Sequence, residues 1–262
     1  MIPLYKKEHQ QKALKIGGKK LAKIFWQVFS YIRPGVSLSF LDQLAEDLIK
    51  KEKGCPSFKT VKNYFWSTCI NVNEGIVHGV PNSYQIKKGD LVTLDMGFYY
   101  QGFHTDMART VWVKGENQKD REEILNFLKV GKKALKKAIS FAQPGYRIGN
   151  ISLIIEKEIK KAGYNPSLIL TGHGVGEELH QEPMIPCFLK GKIENTPLIK
   201  EGMSLAIEVI YSQGKPDLVL DKDGWTLKTK DGKLSAVFED TVLVTKKGPL
   251  ILTPLETKLE VC

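Results

Sequence analysis

The chain reads as an α+β protein made of two similar halves arranged around an antiparallel sheet. Three observations predict this. One turn-plus-helix design occurs twice, 110 residues apart, a further helical stretch precedes each copy, and strand-like segments bearing carboxylates follow each copy. Halves of about 1–118 and 119–262 would pack as a single domain over 1–262, with a site between them.

Residues 7–31 have a helical pattern, weakened by Gly17-Gly18. Pro34-Gly35 signals a turn, and residues 39–52 then read as an amphipathic helix. Leu41, Leu44, Ala45, Leu48 and Ile49 form its apolar stripe, and Ser39 with Asp42 resembles a capping box. Residues 119–142 repeat the leading helix. Pro144-Gly145 repeats the turn, Ile148, Ile151, Ile154, Ile155 and Ile159 repeat the stripe, and Lys160-Lys161 stands where Lys50-Lys51 stood. Any two amphipathic helices align somehow, so the shared Pro-Gly entry is what favours a true half-repeat.

Residues 91–98 and 106–113 read as strands joined by a tight turn at Tyr99-Tyr100-Gln101-Gly102. A turn centred on Tyr100-Gln101 predicts that Asp95 and Asp106 face each other across the pair. Two bare carboxylates there repel unless they share a cation or a proton. Glu208 and Glu239 follow apolar, strand-like residues, and their midpoint falls at Asp223-Gly224, a strong hairpin signal. Carboxylates in apolar context generally have a partner or a metal. His173 lies in Gly172-His173-Gly174-Val175-Gly176, whose spacing is not that of a dinucleotide cradle. Glycines around a histidine suit a strand end that substrate approaches closely. Singly, His78, His104 and Asp106 each read better as structural residues; their grouping with the other carboxylates points to a metallohydrolase.

The composition excludes several classes. A hydrophobic fraction of 42% over 262 residues supports a sizeable core. No run of about 18 apolar residues predicts a membrane span, and Met1 to Lys15 lacks an apolar signal segment, so the expected location is cytoplasmic. Cys55, Cys69, Cys187 and Cys262 form no CxxC pair and read as reduced thiols. A net charge of +10 has two readings. One is a lysine-rich solvated surface, favoured because the basic pairs fall on helix faces; the other is weak attraction to a polyanion such as ribosomal RNA.

At these motifs the sequence resembles the type I methionine aminopeptidases, over nearly the whole chain. The resemblance is carried by Cys69-Ile70-Asn71-Val72-Asn73-Glu74, His78-Gly79-Val80-Pro81, Gly102-Phe103-His104 and Asp223-Gly224-Trp225-Thr226. The eleven residues from Asp95 to Asp106 and the seven from His173 to His180 match the family spacing.

The resemblance implies the pita-bread fold, two α+β halves related by a pseudo-two-fold axis. It implies two divalent metal ions, drawn from Fe(II), Mn, Co, Ni or Zn, held by Asp95, Asp106, His173, Glu208 and Glu239. It further implies Glu208 as the proton-transferring residue and His78 and His180 as free, substrate-facing histidines, with His104 in a supporting role. A methionine pocket of Phe58, Tyr64, Cys69, Leu179 and Trp225 is expected. The implied substrate is the N-terminus of nascent polypeptides with a small second residue, handled by a monomer with transient ribosome association and no membrane contact.

Some positions depart from the family pattern. Val209 replaces a usual proline, Asp240 a usual histidine, Thr60-Val61 a usual Gly-Tyr, and Leu179 a usual methionine or phenylalanine. Asp240 is expected to add negative charge beside the metals, and the pocket changes to reshape it. Two alternatives share the fold: an Xaa-Pro peptidase, which usually carries an extra N-terminal domain and lacks the Asp-Gly-Trp-Thr motif, and a non-catalytic binding protein, which loses metal ligands.

Overall fold

The computed structural model describes residues 4–115 and 118–254. The first half runs α1 (Leu4–Phe29), α2 (Leu38–Lys51), β1 (Cys55–Pro56), β2 (Thr68–Val72), β3 (Gly75–Val77), β4 (Leu91–Tyr100) and β5 (Phe103–Trp112). The second runs α3 (Gln118–Ser140), α4 (Ile148–Lys161), β6 (Asn165–Pro166), β7 (Thr171–Gly174), β8 (Gln181–Pro186) and β9 (Ser204–Ser212). It continues through β10 (Leu218–Leu220), β11 (Leu227–Thr229), β12 (Ser235–Thr245) and β13 (Gly248–Ile251). One antiparallel sheet spans both halves in the order β1-β4-β5-β12-β9-β7-β8, and β10, β11 and β3 form a smaller sheet.

The strands alternate, and that alternation divides the molecule into a helical side and an open side. Val92, Leu94, Met96 and Phe98 of β4 join a core with Leu21, Phe25, Val28, Leu41, Ala45 and Ile49 of α1 and α2. Leu205, Ile207, Val209 and Tyr211 of β9, with Phe238 of β12, join a second core with Phe127, Leu135, Ile151 and Ile155 of α3 and α4. Each large side chain buried this way contributes about 1.5–3 kcal/mol. The residues between them on β4, β5, β9 and β12 face away from the helices.

The half-repeat is visible in the backbone. Gly35 and Gly145 both have positive φ, +84° and +96°. Leu38 N donates to Tyr84 O at 3.1 Å and Ile148 N to Pro197 O at 2.9 Å; Ile86 N donates to Val36 O and Ile199 N to Tyr146 O, both at 2.9 Å. The helix starts differ from the expected capping box. Ser37 caps α2 by accepting from Phe40 N at 3.2 Å. Asp42 instead accepts from Ser67 N, Thr68 N and Thr68 Oγ1 at 2.8–2.9 Å, anchoring the loop into β2. Gly17-Gly18 leaves α1 unbroken because the helix needs a small residue there: a Cβ on Gly18 would lie 2.4 Å from Leu252 O.

Candidate metal centre

Two neighbouring rows across the open side of the sheet carry all five expected ligands. In the first row Cys69 pairs with Asp95, Asp95 with Ala108, Ala108 with Glu239, and Glu239 with Glu208. In the second, Gly97 pairs with Asp106, Thr241 with Ala206, and Ala206 with His173. Asp106 meets Thr241 through its backbone, Asp106 N donating to Thr241 Oγ1 at 2.8 Å. Ala108 stands between Asp95 and Glu239, and Ala206 beside His173, so small residues separate the acids and leave space over the sheet.

The register corrects one expectation. The β4–β5 turn is centred on Gln101-Gly102, with φ of +50° and +90°, rather than on Tyr100-Gln101. Asp95 therefore faces Ala108 and Asp106 faces Gly97, so the aspartates are diagonal, not directly opposed. Displacing the pairing by two residues leaves both on one face, because the pleat repeats every two. The Glu208–Glu239 register is as expected. It persists through the β10–β11 hairpin, where Leu218 faces Thr229 and Leu220 faces Leu227.

Chemically the cluster fits a divalent cation. Ligand atoms of Asp106, His173 and Glu239 lie within 4.8 Å of one another. His173 Nε2 is 3.5 Å from Glu208 Oε1. Asp95 Oδ1 and Glu239 Oε1 are buried with no hydrogen-bond partner, the condition a metal would relieve. Burial, reinforced by the neighbouring carboxylates, pushes Asp95, Glu208 and Glu239 well above the ordinary carboxylate range. Burial pushes Asp106 up to about 7. His173 is pulled down to about 4, mainly by burial and then by His180, so its ring is neutral. Its Nδ1 lies 2.9 Å from Gly174 O. A carbonyl only accepts, so Nδ1 carries the proton and the Nε2 lone pair is free to ligate.

Beside the cluster lies a cavity of about 150 Å³, lined by Phe58, Val61, Tyr64, Cys69, Val77 and Trp225 together with the carboxylates and histidines. That is roughly the space that takes a benzene-sized apolar group. Leu179 is buried behind this wall against Phe58, Tyr64 and Cys69. Val77 lines the cavity without having been expected, hinted at only by the apolar run into His78, and Trp66 and Val80 pack against the cluster behind the wall. Tyr64 donates to Thr68 O at 2.8 Å and stands edge-on to Trp225 at 5.1 Å. The Asp223-Gly224-Trp225-Thr226 motif folds back on itself, Asp223 Oδ1 accepting from Trp225 N and Thr226 N. Thr226 Oγ1 accepts from Val80 N at 3.1 Å, tying Trp225 to the loop after His78.

His78 and His180 line the cavity with exposed side chains, whereas His173 is buried. His180 packs edge-on to His173 at 4.5 Å. Partial desolvation by the surrounding cavity walls lowers both His78 and His180, with His180 adding to the shift of His78. His104 does not line the cavity; its Nδ1 is 2.9 Å from Ser57 Oγ and its ring 4.4 Å from Tyr99. Asp240 departs from expectation. It points to the helical side, away from the ligands, where Arg109 Nη2 donates to its Oδ1 at 2.7 Å. Arg109 was not singled out in the sequence, because nothing local marks a pairing over 131 positions.

Among the described residues Cys55, Cys69 and Cys187 are free thiols; Cys262 lies outside them. No helix among them is long and apolar enough to cross a membrane. Residues 12–246 match metallopeptidase family M24. The chain is 38% identical over 261 residues to a methionine aminopeptidase of Aquifex aeolicus, covering 97% of this chain and 99% of that one. The structure resembles the crystal structure of methionine aminopeptidase from Thermotoga maritima, with a TM-score of 0.88, 36% identity, and coverage of 95% and 97%. A prolidase from Pyrococcus furiosus is less similar: TM-score 0.75, 26% identity, and only 64% of that chain covered.

Proposed function

The chain belongs to metallopeptidase family M24, and we propose that it acts as a methionine aminopeptidase of pita-bread fold, removing the N-terminal methionine of nascent proteins whose second residue is small. The observation that carries this reading is the two-row ligand set abutting an apolar cavity with two free histidines at its mouth.

Two divalent cations would be held by Asp95, Asp106, His173, Glu208 and Glu239. When bound, such ions activate water and polarise the scissile carbonyl. Glu208 takes the proton of the attacking water and passes it to the leaving amine. His180 stabilises the developing oxyanion, and His78 hydrogen-bonds the scissile amide. The wall of Phe58, Tyr64, Cys69 and Trp225, backed by Leu179, holds the methionine side chain, a task that suits aromatic and sulfur-bearing surfaces. Mixed oxygen and nitrogen ligation accommodates Fe(II), Mn, Co, Ni or Zn.

The decisive experiment compares release of methionine from Met-Ala-Ser with cleavage of Ala-Pro, on protein whose metal content is measured as purified. Turnover of Met-Ala-Ser supports the reading; activity confined to the prolyl peptide overturns it. We place the enzyme in the cytoplasm as a monomer. Contact with the ribosome would be electrostatic and transient, and co-sedimentation is then lost between low and high salt. Lys133 and Lys137 both pair with Glu158, and Lys160 with Glu156, so part of the basic helix surface is neutralised within the molecule.

A further inference from the structure

The seam between the two halves is built unlike the ladders flanking it. β4 pairs with β5 from Leu91–Trp112 to Tyr100–Phe103, and β9 with β12 from Ser204–Leu243 to Ser212–Ser235. Between β5 and β12 only Ala108–Glu239 and Met107–Asp240 are paired. On either side, threonine hydroxyls stand between the backbones. Thr241 Oγ1 accepts from Asp106 N at 2.8 Å and lies 2.7 Å from Asp106 O. Thr110 Oγ1 accepts from Val237 N at 2.9 Å and lies 3.0 Å from Val237 O. A hydroxyl between two backbones spaces them more widely than a direct N–H···O bond does.

Arg109 crosses this seam on the helical side. Its Nη1 donates to Ala108 O and to Glu239 O, and its Nη2 to Asp240 Oδ1. Asp240 Oδ1 also accepts from Thr253 Oγ1 at 2.9 Å, and that hydroxyl accepts from Thr241 N at 3.1 Å. The side chains of Arg109 and Asp240 are only 5% and 7% exposed. One connected network therefore holds the backbone of Glu239 and Thr241 and the side chain of Asp240, and through Thr241 the backbone of Asp106.

A buried ion pair is a poor source of net stability, because desolvation offsets its attraction. Here it sits directly behind the row where Glu239 faces Ala108. We infer that Arg109 and Asp240 are positioning residues for the metal-binding carboxylates: their clasp sets the spacing of β5 and β12, and with it the placement of Asp106 and Glu239. This rests on the reading of those two carboxylates as metal ligands. The guanidinium is suited to the task because its planar fork reaches two carbonyls and a carboxylate at once, which an ammonium does not.

The test is calorimetric titration of chelator-stripped protein with Mn(II), with thermal unfolding of each stripped variant measured alongside. The double variant Arg109→Met/Asp240→Leu removes both charges together, leaving none unpaired. Its affinity for Mn(II) is expected to fall about 10–100-fold, the usual cost of losing a ligand's supporting shell, while its unfolding temperature without metal stays near that of the parent. Arg109→Lys keeps the charge without the fork and is expected to bind Mn(II) with intermediate affinity. Parent-like affinity and stoichiometry in the double variant overturns the inference. Should the double variant fail to fold, parent-like affinity in Arg109→Lys overturns it equally, and weakened affinity supports it. Glu239→Gln separates the two levels: if it binds Mn(II) as the parent does, the ligand assignment itself fails. If it loses binding while the clasp variants keep theirs, only the clasp fails.

Discussion

Glu208 and Glu239 stand directly opposite each other on adjacent strands, on the open side of the sheet. Directly paired strand residues have Cβ atoms about 4.5–5.5 Å apart, and like charges there are destabilising. Asp106 and Asp95 add to the same field, and both act to raise Glu239. An arrangement of this kind is stable in its ionised form only with a cation among the oxygens.

Removing metal should therefore cost stability. Chelator-treated protein is expected to unfold at lower temperature than untreated protein, and added Mn(II) should restore the difference. A ligand at a hundredfold excess over its Kd contributes about 2.7 kcal/mol. Identical melting curves in chelator and in Mn(II) would contradict the assignment.

The pH dependence of that difference has a definite sign. In the metal-free protein Asp106 is raised to about 7, and Asp95, Glu208 and Glu239 are also raised well above the ordinary carboxylate range, burial being the leading cause. Their unfolded values lie at about 4. Between these limits the folded chain binds more protons than the unfolded chain, so this contribution to stability falls as pH rises. Metal displaces those protons, so its stabilising effect should grow from about pH 5 to about pH 7. Melting temperatures with and without Mn(II) across that range check it; a constant or shrinking gap is the opposing result.

Glu208→Gln keeps the shape of the side chain and removes its proton-accepting capacity. It is expected to lower kcat for Met-Ala-Ser by about 10²–10⁴-fold while leaving the fold intact. Full activity in this variant would remove Glu208 from the mechanism.

Trp225 bears on binding rather than chemistry. Trp225→Ala opens the cavity wall beside Tyr64. Loss of about 1.4 kcal/mol of apolar contact corresponds to a tenfold rise in KM for methionyl peptides, with kcat little changed. Steady-state kinetics separate the two, and a fall in kcat alone would place Trp225 elsewhere.

Much of this architecture was legible in the chain because the chemistry is local. The Pro-Gly turns, the apolar stripes and the Asp223-Gly224 hairpin each follow from a few neighbouring residues. The clustering of the candidate site residues was legible because they sit in short motifs. The Asp95–Asp106 register was misjudged because Gln101 is an uncommon residue at positive φ, while Gly102 carried the turn signal. The orientation of Asp240 was hidden for another reason: its partner Arg109 comes from the other half, and strand alternation places the two together only once the seam is formed.

That seam also has a consequence for biosynthesis. Asp95 and Asp106 are available once the first half has been made, but His173, Glu208 and Glu239 all come from the second. Asp106 and Thr241, which meet across the seam, are 135 residues apart in the chain. A ribosome-bound fragment ending near residue 115 would hold two aspartates on one hairpin and no nitrogen ligand. On the proposed ligand assignment, acquisition of metal is thus tied to completion of the chain, and truncated products would be left without the full set of proposed ligands.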